Sequence, residues 1–130
     1  MDKYTETDFA LARLLCDFVL SGKYKTTYKE CSVILTQRLN RNVHYRRLGT
    51  PLERVCNMCR GLGLPLITVI VHHSYESKDK VGVGLYNMAK RFYDDCDTMD
   101  ESAIYYREME RIMNCQNWDL LDKYLKKYYK

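Results

Sequence analysis

The stretch TPLERVCNMCRGLGLPLITVIVHH, residues 50–73, decides the fold. Thr50-Pro51-Leu52-Glu53 reads as a capping box with proline at the first helical position. The hydroxyl and the carboxylate each satisfy an orphan amide, and Pro51 has no amide to lose. At 100° per residue, Leu52, Val55, Cys56, Met58 and Cys59 share one face of the helix that follows. Glu53, Arg54, Asn57 and Arg60 share the other, and Gly61 and Gly63 end it. Residues 64–73 then read as a strand, because Ile67, Val69, Ile70 and Val71 are β-branched and the run is short. Pro65 confines that strand to an edge, or to its own first residues.

On the C-terminal side, residues 74–80 form a polar turn, and Val81-Gly82-Val83-Gly84-Leu85-Tyr86 returns as the second strand of a hairpin. On the N-terminal side lie two helices. Thr5 or Thr7 caps the first, whose Phe9, Leu11, Leu14, Leu15, Phe18 and Val19 recur at helical spacing up to Ser21-Gly22. Thr27-Tyr28-Lys29-Glu30 is a capping box for the second, which buries Tyr28, Cys31, Ile34, Leu35 and Leu39 and stops near Asn40. Three helices followed by a two-stranded wing is the winged-helix arrangement, with the third helix offered to the DNA major groove. After the wing come a short helix over residues 87–93, an acidic loop and a helix from about 98 to 114. A last helix carries Trp118, Leu121, Leu125 and Tyr128. The expected fold is mainly α with a β-hairpin (α+β): one domain over residues 1–130, with a winged-helix-like core (1–86) and a helical extension (87–130).

A chain of 130 residues is one domain's worth, long enough to bury a core without disulfides. It has no run of 18 apolar residues, so no membrane partner is expected. The N-terminus lacks the basic and apolar regions of a secretory signal. The expected home is therefore intracellular and cytoplasmic, and the six cysteines read as thiols. The net charge of +4 conceals a segregation. Residues 21–60 hold nine Lys/Arg against Glu30 and Glu53, a local +7 that attracts polyanions.

Within that segment Arg38, Arg41, Arg46 and Arg47 flank the connection between helices two and three, and Arg54, Asn57 and Arg60 line the third helix. Arg and Asn make bidentate contacts to guanine and adenine, and any Lys or Arg neutralises phosphate. Lys78 and Lys80 on the wing complete the candidate nucleic-acid-binding set. Tyr24, Tyr28 and Tyr45, interleaved with it, are suited to phosphate contact or to stacking on an unpaired base. Glu53 on the same face repels phosphate. Twelve tyrosines among sixteen aromatics favour binding over catalysis, since tyrosine is rigid and amphipathic. The pairs Tyr105-Tyr106 and Tyr128-Tyr129 each place one member away from the local core.

Cys56-x-x-Cys59 followed by His72-His73 is near the spacing of a two-Cys, two-His zinc finger. The histidines are adjacent, so on a strand they point to opposite faces, and the order of elements is reversed. Core thiols are the preferred reading, and no metal or cofactor is expected. Gly82-x-Gly84 lacks the Lys-Ser/Thr of a phosphate loop. Asp94, Asp95, Asp97 and Asp100 lack the spacing of a calcium loop. They read as an acidic, partner-facing segment with helix-start charges. No catalytic constellation stands out.

The order of capped helix, basic turn, capped helix, Leu64-Pro65-Leu66-Ile67, Gly84-Leu85-Tyr86 and Trp118 resembles small uncharacterised phage and mobile-element proteins with a winged-helix-like core. The resemblance covers roughly residues 25–125. Thr27-Tyr28 and the helix over 51–60 are also similar to the DNA-binding domain of alkyltransferase-like repair proteins. The reactive cysteine segment of that family is replaced here by Leu64-Pro65-Leu66-Ile67. The expected function is a small non-enzymatic binding protein contacting DNA or RNA through residues 38–60. The phage-like resemblance implies the alternative, an anti-CRISPR type inhibitor that binds a nucleic-acid-binding host defence nuclease. An enzyme of unidentified chemistry is third.

Overall fold

The structure, a computed structural model, describes residues 4–74 and 83–129. Its order is α1 (Glu6–Leu20), β1 (Thr26–Thr27), α2 (Tyr28–Leu39), α3 (Gly49–Gly61), β2 (Val71–His72), α4 (Val83–Phe92), α5 (Glu101–Asn114) and α6 (Asp119–Tyr128). Short 3-10 turns cover Tyr45–Arg47, Ile67–Ile70 and Asp94–Thr98. Among the described residues no helix is long and apolar enough to cross a membrane.

The first two helices start where their caps dictate. Thr5 accepts a hydrogen bond from the Asp8 amide, and the Asp8 carboxylate accepts one from the Thr5 amide at 2.8 Å. Thr27 accepts from the Glu30 amide at 3.1 Å. Asn40 ends α2 in the left-handed region, φ 53°, which its short polar side chain tolerates. The third start differs from the expected Thr50 box. The helix begins at Gly49, continuous with the Tyr45–Arg47 turn, and no side-chain bond caps it. Its first bond runs from the Leu52 amide to the Leu48 carbonyl at 2.9 Å, so Pro51 sits in the first turn, where a missing amide costs nothing.

The expected hairpin is replaced by a parallel pair. β2 lies beside β1, with Thr26 opposite Val71 and Thr27 opposite His72. Residues 66–72 are buried without interruption, and the Ile67–Ile70 part is a 3-10 turn rather than a strand. A segment apolar on every side cannot serve as a half-exposed wing, and continuous apolar runs are the mark of buried parallel strands. Of residues 81–86, expected as the returning strand, 83–86 form the start of α4 instead, while 81 and 82, with 75–80 of the expected turn, lie outside the described residues. Leu85, Met88 and Ala89 of α4 are buried and Phe92 half-buried, the i, i+3, i+4, i+7 spacing of a helix. Among the described residues the architecture is mainly helical with a two-stranded parallel sheet, which does not confirm the winged-helix core.

One hydrophobic core runs from Ala10 to Leu125. Its centre is α1, which packs against α2, α3 and α6. Leu11, Leu14 and Leu15 meet there with Leu35, Leu66, Ile67 and Leu121, all essentially unexposed. Each such leucine contributes about 2–5 kcal/mol relative to alanine. The segment over 67–70 is wedged against α1, α3 and α5. That wedge fixes where β2 emerges, and so where residue 73 reaches the surface.

Candidate nucleic-acid interface

The Thr27 cap sets the first turn of α2, and that turn carries Tyr28 and Lys29. The parallel register pairs Thr27 with His72, so the next residues, Tyr28 and His73, leave the sheet side by side. Their rings stack with centroids 5.4 Å apart and planes 26° apart. The third wall is the 3-10 turn before α3. His44 Nδ1 accepts from the Arg46 amide at 3.1 Å, and the His44 ring stacks on Tyr45 at 4.6 Å. Lys29 Nζ lies 5.5 Å and the Arg46 guanidinium 5.7 Å from the Tyr45 ring centre. Tyr28, Lys29, Tyr45, Arg46, Gly49 and His73 enclose a groove of about 280 Å³. Gly49 lines it without a side chain. Cations beside aromatic faces, in a groove open to water, suit a base that stacks and a phosphate that pairs.

Arg46 alone of the candidate arginines lines this groove. Arg47 is exposed on the same turn. Three others are directed at α1. Arg38 lies 3.8 Å from Asp17, Arg41 donates to the Thr7 hydroxyl, and Arg54 donates to Asp8 at 3.2 Å. Asn57 is half-buried on α3. Arg60 lies over the rings of Phe92 and Tyr93, at 5.1 and 5.8 Å. Lys78 and Lys80 lie outside the described residues. Lys29 and His73 belong to the groove and were not among the candidates. The capping box at Thr27 was the signal for Lys29, whereas no local signal announces His73.

Of the acidic set, Asp94, Asp95 and Asp97 are exposed on a 3-10 turn. Asp95 is bound by Arg107 at 2.6 Å, and that guanidinium holds its carboxyl below the usual range. Asp100 caps α5, accepting from the Ala103 amide at 2.8 Å. Only Asp94 and Asp97 present carboxylates with no such role.

His72 and the α3 cysteines are packed into the core. His72 Nε2 bonds the Tyr105 hydroxyl at 2.7 Å and Nδ1 the Ile70 carbonyl at 3.0 Å. Cys56 Sγ pairs with the Thr68 hydroxyl at 3.0 Å. Burial pushes the Cys56 thiol up to about 12, and those of Cys16 and Cys31 up to about 11. Such thiols stay protonated at neutral pH and are poor nucleophiles and ligands. Among the described residues no group of three or more His, Cys, Asp or Glu is placed to hold a metal. The adjacent tyrosines divide as their helices require: Tyr105 is buried and Tyr106 exposed, while Tyr129 is half-buried and Tyr128 exposed.

No family model, curated protein or solved structure matches this chain. The groove is therefore read from its own chemistry.

Proposed function

We propose that this is a non-enzymatic binding protein that holds an unpaired stretch of DNA or RNA in the groove between α2, β2 and the turn before α3. The observation that carries the reading is the placing of Lys29 and Arg46 beside the Tyr45 ring, opposite the Tyr28–His73 stack. Base–aromatic stacking contributes about 1–3 kcal/mol per base, and cations at the groove rim neutralise backbone phosphate. Stacking on these rings needs an exposed base face, so the bound base is one out of its pair. The local +7 of residues 21–60 raises the concentration of any polyanion near it.

The test is fluorescence anisotropy with single-stranded and duplex oligonucleotides across a salt series. The reading requires single strands to bind more tightly than duplex, with affinity falling as salt rises. Tyr45→Ala and Arg46→Ala should each weaken binding about tenfold or more. A protein that binds neither strand nor duplex, and instead co-purifies with a host defence nuclease, would support the inhibitor reading through Asp94 and Asp97.

A further inference from the structure

A second basic, aromatic groove lies at the other end of α3. Tyr93, just after α4, has three guanidiniums around its ring: Arg111 at 4.6 Å, Arg107 at 5.3 Å and Arg60 at 5.8 Å. Arg107 and Arg111 are held from beneath by Glu108. Its Oε2 accepts from Arg111 Nη1 at 3.0 Å and from Arg107 Nε at 3.3 Å, and the residue is wholly buried. Arg60 has no carboxylate partner among the described residues. Arg60, Arg111, Tyr93 and residues 63–65 border a groove of about 300 Å³.

The two grooves share a helix face. Gly49 lines the first and Arg60 borders the second, eleven residues on. Eleven steps of 100° bring the chain back to within about 20° of the same direction, and eleven rises of 1.5 Å separate the two by about 16 Å. Next to the first groove, and sharing Tyr28 and Gly49 with it, is a narrow cleft of about 50 Å³ that Glu53, Cys56 and Met88 of α4 also line. α3 thus has a cationic, aromatic groove near each end, with one exposed acid of its own, Glu53, between them.

Resting on the proposed function, we infer that one single strand of nucleic acid occupies both grooves, its second anchor being a backbone phosphate held by Arg60 and Arg111 beside Tyr93. At 3.4 Å per stacked nucleotide, 16 Å corresponds to about five steps. A strand of three nucleotides, spanning about 7 Å, reaches one groove and not both. Two cationic ends suit two phosphates, and Glu53 between them disfavours a third. Tyr93 adds a ring for the base next to the second phosphate.

The experiment measures the affinity of the full chain for oligothymidylates of three to ten nucleotides, with wild type, Arg60→Ala and Glu53→Gln. The expected affinity rises up to about six nucleotides and then levels. Arg60→Ala should weaken the eight-mer about tenfold, as for one charged hydrogen bond, and leave the three-mer unchanged. Its salt slope for the eight-mer should fall in magnitude by about 0.7, the value for one phosphate on a single strand. Glu53→Gln should tighten the eight-mer only. Equal binding of three-mer and eight-mer, or an eight-mer indifferent to Arg60→Ala but lost in Tyr45→Ala, overturns the second anchor and leaves the first groove standing. No binding of any oligonucleotide removes both.

Discussion

Arg54 on α3 reaches across to Asp8 on α1, its Nη1 lying 3.2 Å from the Oδ2 of a carboxylate that belongs to a wholly buried residue. The same Oδ2 accepts from the Thr5 amide that opens α1. One oxygen therefore joins a helix cap to a contact between helices, while Oδ1 is buried with no hydrogen-bond partner. A buried carboxylate stripped of its cation is costly, about 3–5 kcal/mol when the pair is fully enclosed. The Arg54 side chain is 40% exposed and the cap remains, so Arg54→Ala should cost less, about 2 kcal/mol. For a chain of this size the melting temperature should fall by about 8 °C. Oligonucleotide affinity, measured well below that temperature, should stay at the wild-type value, because Arg54 is committed to Asp8. A stable variant with weakened affinity would return Arg54 to the binding surface.

The cysteines give a chemical check on the core. Cys16, Cys31, Cys56, Cys59 and Cys96 are buried, and Cys115 is half-buried. Desolvation pushes the thiols of the first five upward. Iodoacetamide at pH 8 under native conditions should label Cys115 and spare the others, as read by peptide mass spectrometry. Added zinc should leave the melting temperature unchanged, since Cys56 is bonded to Thr68 and His72 to Tyr105 and Ile70. Fast labelling of Cys56 or Cys59, or a zinc-induced rise in melting temperature, would contradict the packing described.

Stability should fall in acid through the contact of α1 with α6. Asp122 is held below its ordinary value of 3.8, first by its bond to Lys126 and then by Arg13 of α1, 2.8 Å away. The folded form thus binds a proton less readily than the unfolded chain. Its contribution is complete above the unfolded value and drains away as pH falls through 3.8 towards the depressed folded one. Asp122→Asn should be less stable than wild type at pH 7, and the gap should narrow between about pH 5 and pH 3. Urea midpoints at several pH values measure this; a gap constant with pH would mean that the charge of Asp122 is immaterial.

The starts of α1 and α2 were legible because caps are local: Thr5 opens the first, and Thr27 and Glu30, three residues apart, announce the second. The apolar face of α3 was equally plain, and Leu52, Val55, Cys56, Met58 and Cys59 are all buried. The sheet was not legible. β1 is two threonines, and its partner lies 45 positions on, beyond two helices. No window of sequence contains both. Residues 83–86 misled for a related reason: valine and glycine suggest a strand locally, while the apolar spacing that makes α4 appears only once Met88, Ala89 and Phe92 are counted. The candidate site divided along the same line. Arg46 could be found by its charge, but His73 arrives by register and Tyr93 gathers its arginines from α3 and α5.

The adjacent histidines separate the groove from the core. His72 ends β2, unexposed and bonded to Tyr105, and His73, the residue after the strand, is exposed and stacked on Tyr28. His73→Ala removes a ring from the groove and no core contact. It should leave the melting temperature within a degree or two and weaken single-strand binding in proportion to a lost stack, about 1–3 kcal/mol. His72→Ala removes a buried ring and two hydrogen bonds from the core. It should destabilise the fold by about 2–4 kcal/mol while the folded fraction still binds. Thermal melts and anisotropy on the same two samples decide the matter. If His73→Ala binds like wild type, the Tyr28–His73 stack is a surface contact without a ligand, and the first groove loses one of its two aromatic walls.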